Sequence, residues 1–257
     1  MAKTATTRKA AKSRPGARRR ASGSTKPLYA QVEEIIRQRL IDNYWKPGDA
    51  LPSEIQLAAE LDVSQGTVRK ALNDMVAENL LVRRQGRGTF VSEHTERRAL
   101  FLFFSLVGED GTRTMPVSHV ISCEHRKATT EERARLELAA GAEVVTVRRV
   151  RSLHGEPTIV DRVTVSSAMF PNLGGDAKLP ENLYRFYQIE YGITITKALE
   201  RVRAVSATSE EAKLLGLEPG AALLEIDRLS LSLDARPVEW RVSRCNTSKH
   251  TYVAERG

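Results

Sequence analysis

Apolar residues recur at helical spacing in three short segments near the start of the chain. Ser53 and Ser64 stand where the second and third helices are expected to begin, and Gln56 completes a capping box with Ser53. Pro47 and Gly48 end the first helix. The apolar positions are Leu28, Val32, Ile35, Ile36, Leu40 and Ile41, then Ala58, Ala59 and Leu61, then Val68, Ala71, Leu72, Met75 and Val76.

A basic segment that contains glycine follows the third predicted helix. Two short β-prone runs, Leu80–Val82 and Thr89–Val91, flank Arg83–Gly88 and predict a hairpin. Because Asp62–Ser64 leaves only a tight turn between the second and third helices, the order of elements is that of a winged helix-turn-helix.

Short polar and basic side chains share the side of the third helix opposite its apolar stripe. Gln65 has the donor and acceptor needed for adenine, and Arg69 suits guanine or phosphate. Arg87 lies between glycines and suits the minor groove or its phosphates. The alternative interpretation is a solvated helix face beside an ordinary charged hairpin. The predicted DNA contacts are Ser53, Ser64, Gln65, Thr67, Arg69, Lys70, Arg87 and Gly88.

Three motifs identify this unit, which we place at residues 27–92. They are Pro52-Ser53-Glu54, the run Leu57-Ala58 to Val63-Ser64-Gln65-Gly66-Thr67-Val68-Arg69-Lys70-Ala71-Leu72, and Gly86-Arg87-Gly88-Thr89-Phe90-Val91. Together they resemble the DNA-binding domain of GntR-type regulators, which implies a dimer on an inverted-repeat operator. The family usually has arginine after the turn serine, whereas this chain has Gln65, so we expect a different half-site.

The second half of the chain contains a weak internal repeat. After a charged linker at 93–99 and a strand predicted over Leu100–Leu106, a helix, a strand, a tight turn and a strand occur twice. We expect both copies to join one antiparallel sheet, with a ligand cleft between the halves. The first copy runs from Thr130 through Val144–Ser152 to Thr158–Val165, and the second from Thr208 through Leu223–Ser232 to Val238–Cys245.

Strand parity places Arg149 and Arg151 on one face, about 7 Å apart, where they can clamp a single anion. Asp161 lies on the partner strand, and the second copy holds Arg228, Ser230 and Arg241 at matching places. The alternative interpretation is a solvent-facing ladder of cross-strand ion pairs.

Residues 100–254 resemble the UTRA effector-sensing domain of HutC-type regulators. The resemblance rests on Arg149-Val150-Arg151 with Gly155-Glu156-Pro157, on Leu183-Tyr184 with Tyr191-Gly192, and on Pro237-Val238-Glu239 before Arg241. It implies an α+β fold like that of chorismate lyase and a bound phosphorylated sugar. A carboxylate fits the two arginines equally well. By position, the resemblance assigns the effector to Arg149, Arg151, Asp161, Asn182 and Tyr184, to which we add Arg228 and Arg241. Asp161 and Asn182 replace the family's usual glutamate and serine.

The charge of the chain is unevenly distributed. Nine basic residues and no acid fall within residues 1–26, so the remaining residues sum to −1 although the whole chain carries +8. We interpret this segment as a disordered tail that adds sequence-independent attraction to DNA. The absence of long apolar runs argues against a membrane span. Cys123 and Cys245 lack the spacing of a metal site, and we expect no cofactor.

These features predict a cytoplasmic, homodimeric transcriptional regulator, expected to repress, whose operator affinity responds to a small anionic metabolite. Two alternatives are a DNA-binding protein whose second domain only dimerises, and a lyase-like enzyme. The five histidines show no recognisable catalytic spacing, which argues against the enzyme.

Overall fold

The computed structural model describes residues 26–174 and 179–254. The predicted basic tail therefore lies outside the described residues, apart from Lys26. Among the described residues, no helix is long and apolar enough to cross a membrane.

The first unit has the predicted order of three helices and a hairpin. Ser53 and Ser64 cap the second and third helices as expected, and the Ser53–Gln56 capping box is formed. The predicted apolar stripes meet in one core, in which Ile36, Leu57 and Val68 are fully buried. The elements are α1 (Leu28–Ile41), α2 (Glu54–Glu60), α3 (Gln65–Ala77), β1 (Leu81–Arg84) and β2 (Gly88–Val91).

The hairpin is joined to the helices by backbone hydrogen bonding to the segment that precedes α2. Leu51 N–H donates to the Thr89 carbonyl at 2.8 Å, just before the turn into α2. At the tip of the hairpin, Gly86 and Gly88 have φ values of +68° and +109°, which favour glycine. The wing is thus held at a set distance from the start of α2.

The strand predicted over Leu100–Leu106 is wrong for most of its length. Thr95 caps a helix, α4 (Glu96–Leu102), which takes up the end of the predicted linker and the first three residues of the predicted strand. The apolar run has the length of a buried strand, but the Thr95 cap commits its first half to helix. Only its end forms a strand, β3 (Leu106–Gly108), which pairs with β10 (His250–Tyr252).

The second unit is built on a six-stranded antiparallel sheet in the order β4-β5-β6-β9-β8-β7. The two predicted copies, α5-β5-β6 and α7-β8-β9, meet where β6 pairs with β9. Their helices begin with matching capping boxes. The elements are β4 (Val117–Lys127), α5 (Thr130–Leu136), β5 (Glu143–Leu153), β6 (Glu156–Ser166), α6 (Leu183–Tyr191), β7 (Ile195–Ser206), α7 (Ser209–Leu215), β8 (Ala222–Ser232) and β9 (Pro237–Cys245).

The two faces of this sheet are covered by different elements. Helix α6 packs on one face through Leu183, Tyr184 and Tyr187, against the strand residues that share the parity of Arg149. Helices α5 and α7 cover the opposite face. The arginines that share this parity are therefore buried beneath α6; they are Arg149, Arg151, Arg228 and Arg241.

Candidate functional sites

The start of α3 presents most of the residues predicted to contact DNA. The Ser64 hydroxyl caps the helix by accepting the Thr67 backbone N–H at 3.1 Å, and the two hydroxyl oxygens lie 2.8 Å apart. Gln65 and Arg69 are exposed, and both donate to the carboxylate of Glu54 at the start of α2. The polar face predicted from the sequence is thus present and internally hydrogen-bonded.

The remaining predicted contacts lie around the edge of this surface. Lys70 pairs with Asp74 at 2.9 Å and packs on the Tyr29 ring. Ser53 is engaged in the cap of α2. At the wing tip, the Arg87 side chain has no hydrogen bond or ion pair to any described residue, and the space beside Gly88 is open. A groove of about 630 Å³ separates the wing from the starts of α2 and α3.

The second candidate site is a cluster of buried charges between the sheet and α6. Arg149 and Asp161 occupy opposite positions on β5 and β6, with Arg149 Nε and Nη2 at 3.0 and 2.9 Å from Asp161 Oδ2. Ser243 donates to the other oxygen at 2.6 Å. The Arg149 and Asp161 side chains are 2% and 0% exposed, so the predicted cross-strand pair forms but is not a solvent-facing ladder.

The second copy contributes a matching set of charges. Arg228 pairs with Glu200 on the neighbouring strand and also donates to the Phe103 carbonyl. Arg241 donates to Glu239 at 2.8 Å, and its guanidinium lies over the Tyr184 ring. Four buried arginines thus face the three carboxylates Asp161, Glu200 and Glu239.

Glu239 accepts three side-chain hydrogen bonds that the sequence did not predict. Tyr184 and Tyr187 donate to its two oxygens at 3.2 and 2.9 Å, and Arg241 adds a third bond. Burial raises the pKa of Glu239, but Arg241, the Tyr187 hydrogen bond and the charge of Arg149 together leave the pKa below its ordinary value. The sequence marked Glu239 only as part of a motif. Glu239, Arg241 and Ser243 are alternate residues of β9 and therefore share one face of the sheet. This alternation could have placed Glu239 and Ser243 in the site.

Arg151 is the least compensated charge in the cluster. Its Nη1 lies 3.6 Å from Asp161 Oδ2, a carboxylate that Arg149 already occupies, and its Nε has no hydrogen-bond partner among the described residues. Burial, with Arg149 adding to it, lowers the pKa of Arg151 to about 9. Arg241 Nε also lacks a partner in the described chain. Such groups favour an added anion.

A cavity of about 40 Å³ opens onto Arg151, Arg228 and Arg241. This volume admits a few water molecules at most, and Phe103, Phe104 and the start of α6 enclose it. A larger anion enters only if these covering residues move. Because Phe103 follows α4 directly, the cover of the cavity is continuous with the segment that leads from the first unit.

Asn182 and Tyr184 are placed differently within the predicted set. Tyr184 is buried in the cluster, where its hydroxyl meets Ser230 at 2.7 Å. Asn182 lines the cavity mouth, caps α6 and donates to the His94 carbonyl at 3.2 Å. Of the residues predicted from the sequence, Asn182 thus contacts the connecting segment rather than the arginines.

Neither cysteine belongs to a ligand cluster. Cys123 and Cys245 are free thiols, and no group of three or more potential metal ligands occurs within 26–174 and 179–254. Burial raises the pKa of Cys245 above its usual range.

Known proteins resemble both units of this chain. Residues 28–91 match the gntR family of bacterial regulatory proteins, and residues 112–251 match the UTRA domain. The histidine utilization repressor of Pseudomonas putida is 32% identical over 207 residues, which cover 80% of this chain and 83% of that protein. The mannosyl-D-glycerate transport/metabolism system repressor MngR of Escherichia coli is 29% identical over 234 residues, covering 90% and 97%.

A solved structure agrees with the second unit. The ligand-binding domain of a GntR-family regulator from Bordetella bronchiseptica superposes with a TM-score of 0.55 at 33% identity, covering 60% of this chain and 96% of that one. These relatives are transcriptional regulators rather than enzymes. The chain therefore belongs to the GntR family of bacterial transcriptional regulators, in the HutC-type group that joins a winged helix-turn-helix to an effector-sensing UTRA domain.

Proposed function

We propose that this protein is a cytoplasmic repressor that binds an inverted-repeat operator as a homodimer and leaves it when a small anion binds Arg151, Arg228 and Arg241. The observation that carries the proposal is the buried, incompletely paired Arg151 beside a cavity covered by the connecting segment. The predicted DNA contacts and the domain limits 27–92, 93–99 and 100–254 are part of the same proposal.

The anion is proposed on electrostatic grounds. Four buried arginines against three carboxylates leave the cluster one positive charge in excess. A carboxylate or phosphoryl group placed among Arg151, Arg228 and Arg241 supplies the missing charge and accepts forked hydrogen bonds. Two relatives take their names from histidine and mannosyl-D-glycerate, which both carry a carboxylate, so carboxylates come first among the compounds to test.

Coupling to DNA is proposed through the segment between the units. Arg228 holds the Phe103 carbonyl, and a bound anion competes for the same guanidinium. Helix α6 is also hydrogen-bonded to this segment. Gln188 accepts from His94 N–H at 2.9 Å and donates to the Ser92 carbonyl at 3.2 Å. An anion that displaces Phe103 changes the position of α4 and of the first unit, to which α4 is joined. Such a change lowers operator affinity only if the anion prefers the displaced state.

The test begins with a duplex that the full-length protein enriches from a random library. Fluorescence anisotropy then follows release of the protein from this duplex by carboxylates and phosphorylated sugars. We expect one class to release the wild type and to leave Arg151→Met bound. The matched control is Arg236→Met, because Arg236 lies in an exposed turn of the same domain and pairs only with Asp234 among the described residues. We expect it to respond like the wild type.

The alternative is a DNA-binding protein whose second domain only dimerises. It predicts that no small anion alters DNA binding and that Arg149→Ala and Arg151→Ala leave operator release unchanged. Sedimentation of the full chain, alone and on the selected duplex, tests the dimer. A single subunit bound per inverted repeat would contradict the proposed assembly.

A further inference from the structure

One carboxylate joins the elements that flank the groove of the first unit. Glu54 Oε2 accepts from Arg69 Nε at 2.8 Å and from Gln65 Nε2 at 3.2 Å, both on α3. Its Oε1 accepts from Arg83 Nη2 at 3.1 Å, on the first strand of the wing. Glu54 therefore links the predicted recognition helix to the wing.

The backbone of Glu54 is itself fixed. It is the first residue of α2, directly after the Ser53 capping box, so its side chain starts from a defined position. The Glu54 side chain is 18% exposed, whereas those of Arg69 and Arg83 are 55% and 43% exposed. The carboxylate thus lies behind the groups that it holds, and those groups remain open to DNA.

We propose that Glu54 is a specificity-determining positioning residue, which presets Gln65 and Arg69 for base edges and opposes binding to unmatched DNA. Held side chains lose less conformational entropy on binding. The negative charge beside the groove also repels phosphates and competes with them for Arg69 and Arg83. An operator offsets this competition with base contacts, whereas an unmatched sequence offers only phosphates.

This inference rests on the proposed DNA-binding function, and Glu54→Gln separates the two. Glutamine preserves length while removing the charge. The matched control is Glu60→Gln, because Glu60 also carries one charge on α2 but pairs with Arg39 at 2.5 Å, away from the wing. Affinities of the full chain are measured over a range of salt concentrations, on the duplex enriched by the wild type and on a scrambled duplex of equal composition.

We expect Glu54→Gln to bind the scrambled duplex more tightly, with a salt slope steeper by about one. Preference for the enriched duplex should fall about tenfold, since a well-placed base contact contributes discrimination of this order. Glu60→Gln should leave preference unchanged. Equal changes in affinity on both duplexes would refute the role of Glu54, and so would the same loss of preference in Glu60→Gln. Either result would leave the proposed function intact. A wild type that enriches no sequence would refute the proposed function, and this inference with it.

Discussion

Replacing Arg151 by methionine should stabilise the protein, whereas the same replacement of Arg149, two residues earlier, should destabilise it. Both arginines lie on one face of β5 and are buried, with side chains 2% and 8% exposed. They differ in their partners: Arg149 makes two close contacts with Asp161, while Arg151 reaches the same oxygen only at 3.6 Å. Arg149→Met therefore leaves Asp161 poorly paired, and Arg151→Met removes an excess charge.

The magnitudes follow from these contacts. Removing one partner of a close buried ion pair costs about 3–5 kcal/mol, which is the loss that we expect for Arg149→Met. Replacing buried charges with apolar side chains of similar volume stabilises by up to about 4 kcal/mol when no charge is left unpaired. Because Asp161 keeps Arg149 as its partner, we expect a gain within this range for Arg151→Met. The lowered pKa of Arg151, near 9, agrees in sign, since burial and Arg149 disfavour its charged form. The gain in stability is accompanied by loss of the anion response.

The assay is urea unfolding followed by tryptophan fluorescence. The chain has two tryptophans, Trp45 in the first core and Trp240 in the sheet, so a Trp45→Phe background restricts the signal to the second unit. We expect the midpoint to rise for Arg151→Met and to fall for Arg149→Met at equal slope. Similar destabilisation by both substitutions would show that Arg151 is fully compensated and would refute the reasoning.

Three further predictions concern pH and DNA binding. Burial lowers the pKa of His94 to about 3 from 6.5, so the unfolded chain binds the extra proton between these values and stability falls as pH drops from 6.5 toward 3. Urea midpoints measured across this range should fall less for His94→Phe than for the wild type. Arg87→Ala should weaken binding to all duplexes and lower the salt slope by about one, whereas a change in sequence preference would indicate base contact. Deletion of residues 1–25 should reduce affinity mainly at low salt, and a shifted preference in repeated selection would contradict this.

The first unit could be predicted closely because its signals are local. Caps at Ser53 and Ser64, the apolar stripes and the glycines of the wing each act within a few residues. The contacts of Glu54 could not be predicted in this way. Its three partners lie on α3 and β1, and only the packed fold brings them to one carboxylate.

The second unit shows where local patterns fail. Alternation placed Arg149, Arg151 and Asp161 on one face correctly, yet it could not tell whether that face is solvated. Burial depends on α6 and on the β3–β10 pair, which are distant in sequence. The first residues of the apolar run that suggested a strand belong to α4, because the Thr95 cap outweighs the length of the run.

We propose that the anion and the operator favour different states of the same protein. Reciprocity requires that the anion weakens operator binding by the same factor by which the operator weakens anion binding. Calorimetric titration of the releasing anion into the full-length protein, with and without saturating operator, measures that factor directly. We predict weaker anion binding to the operator complex, by the factor found in the release assay. Equal anion affinity in both titrations would contradict the account.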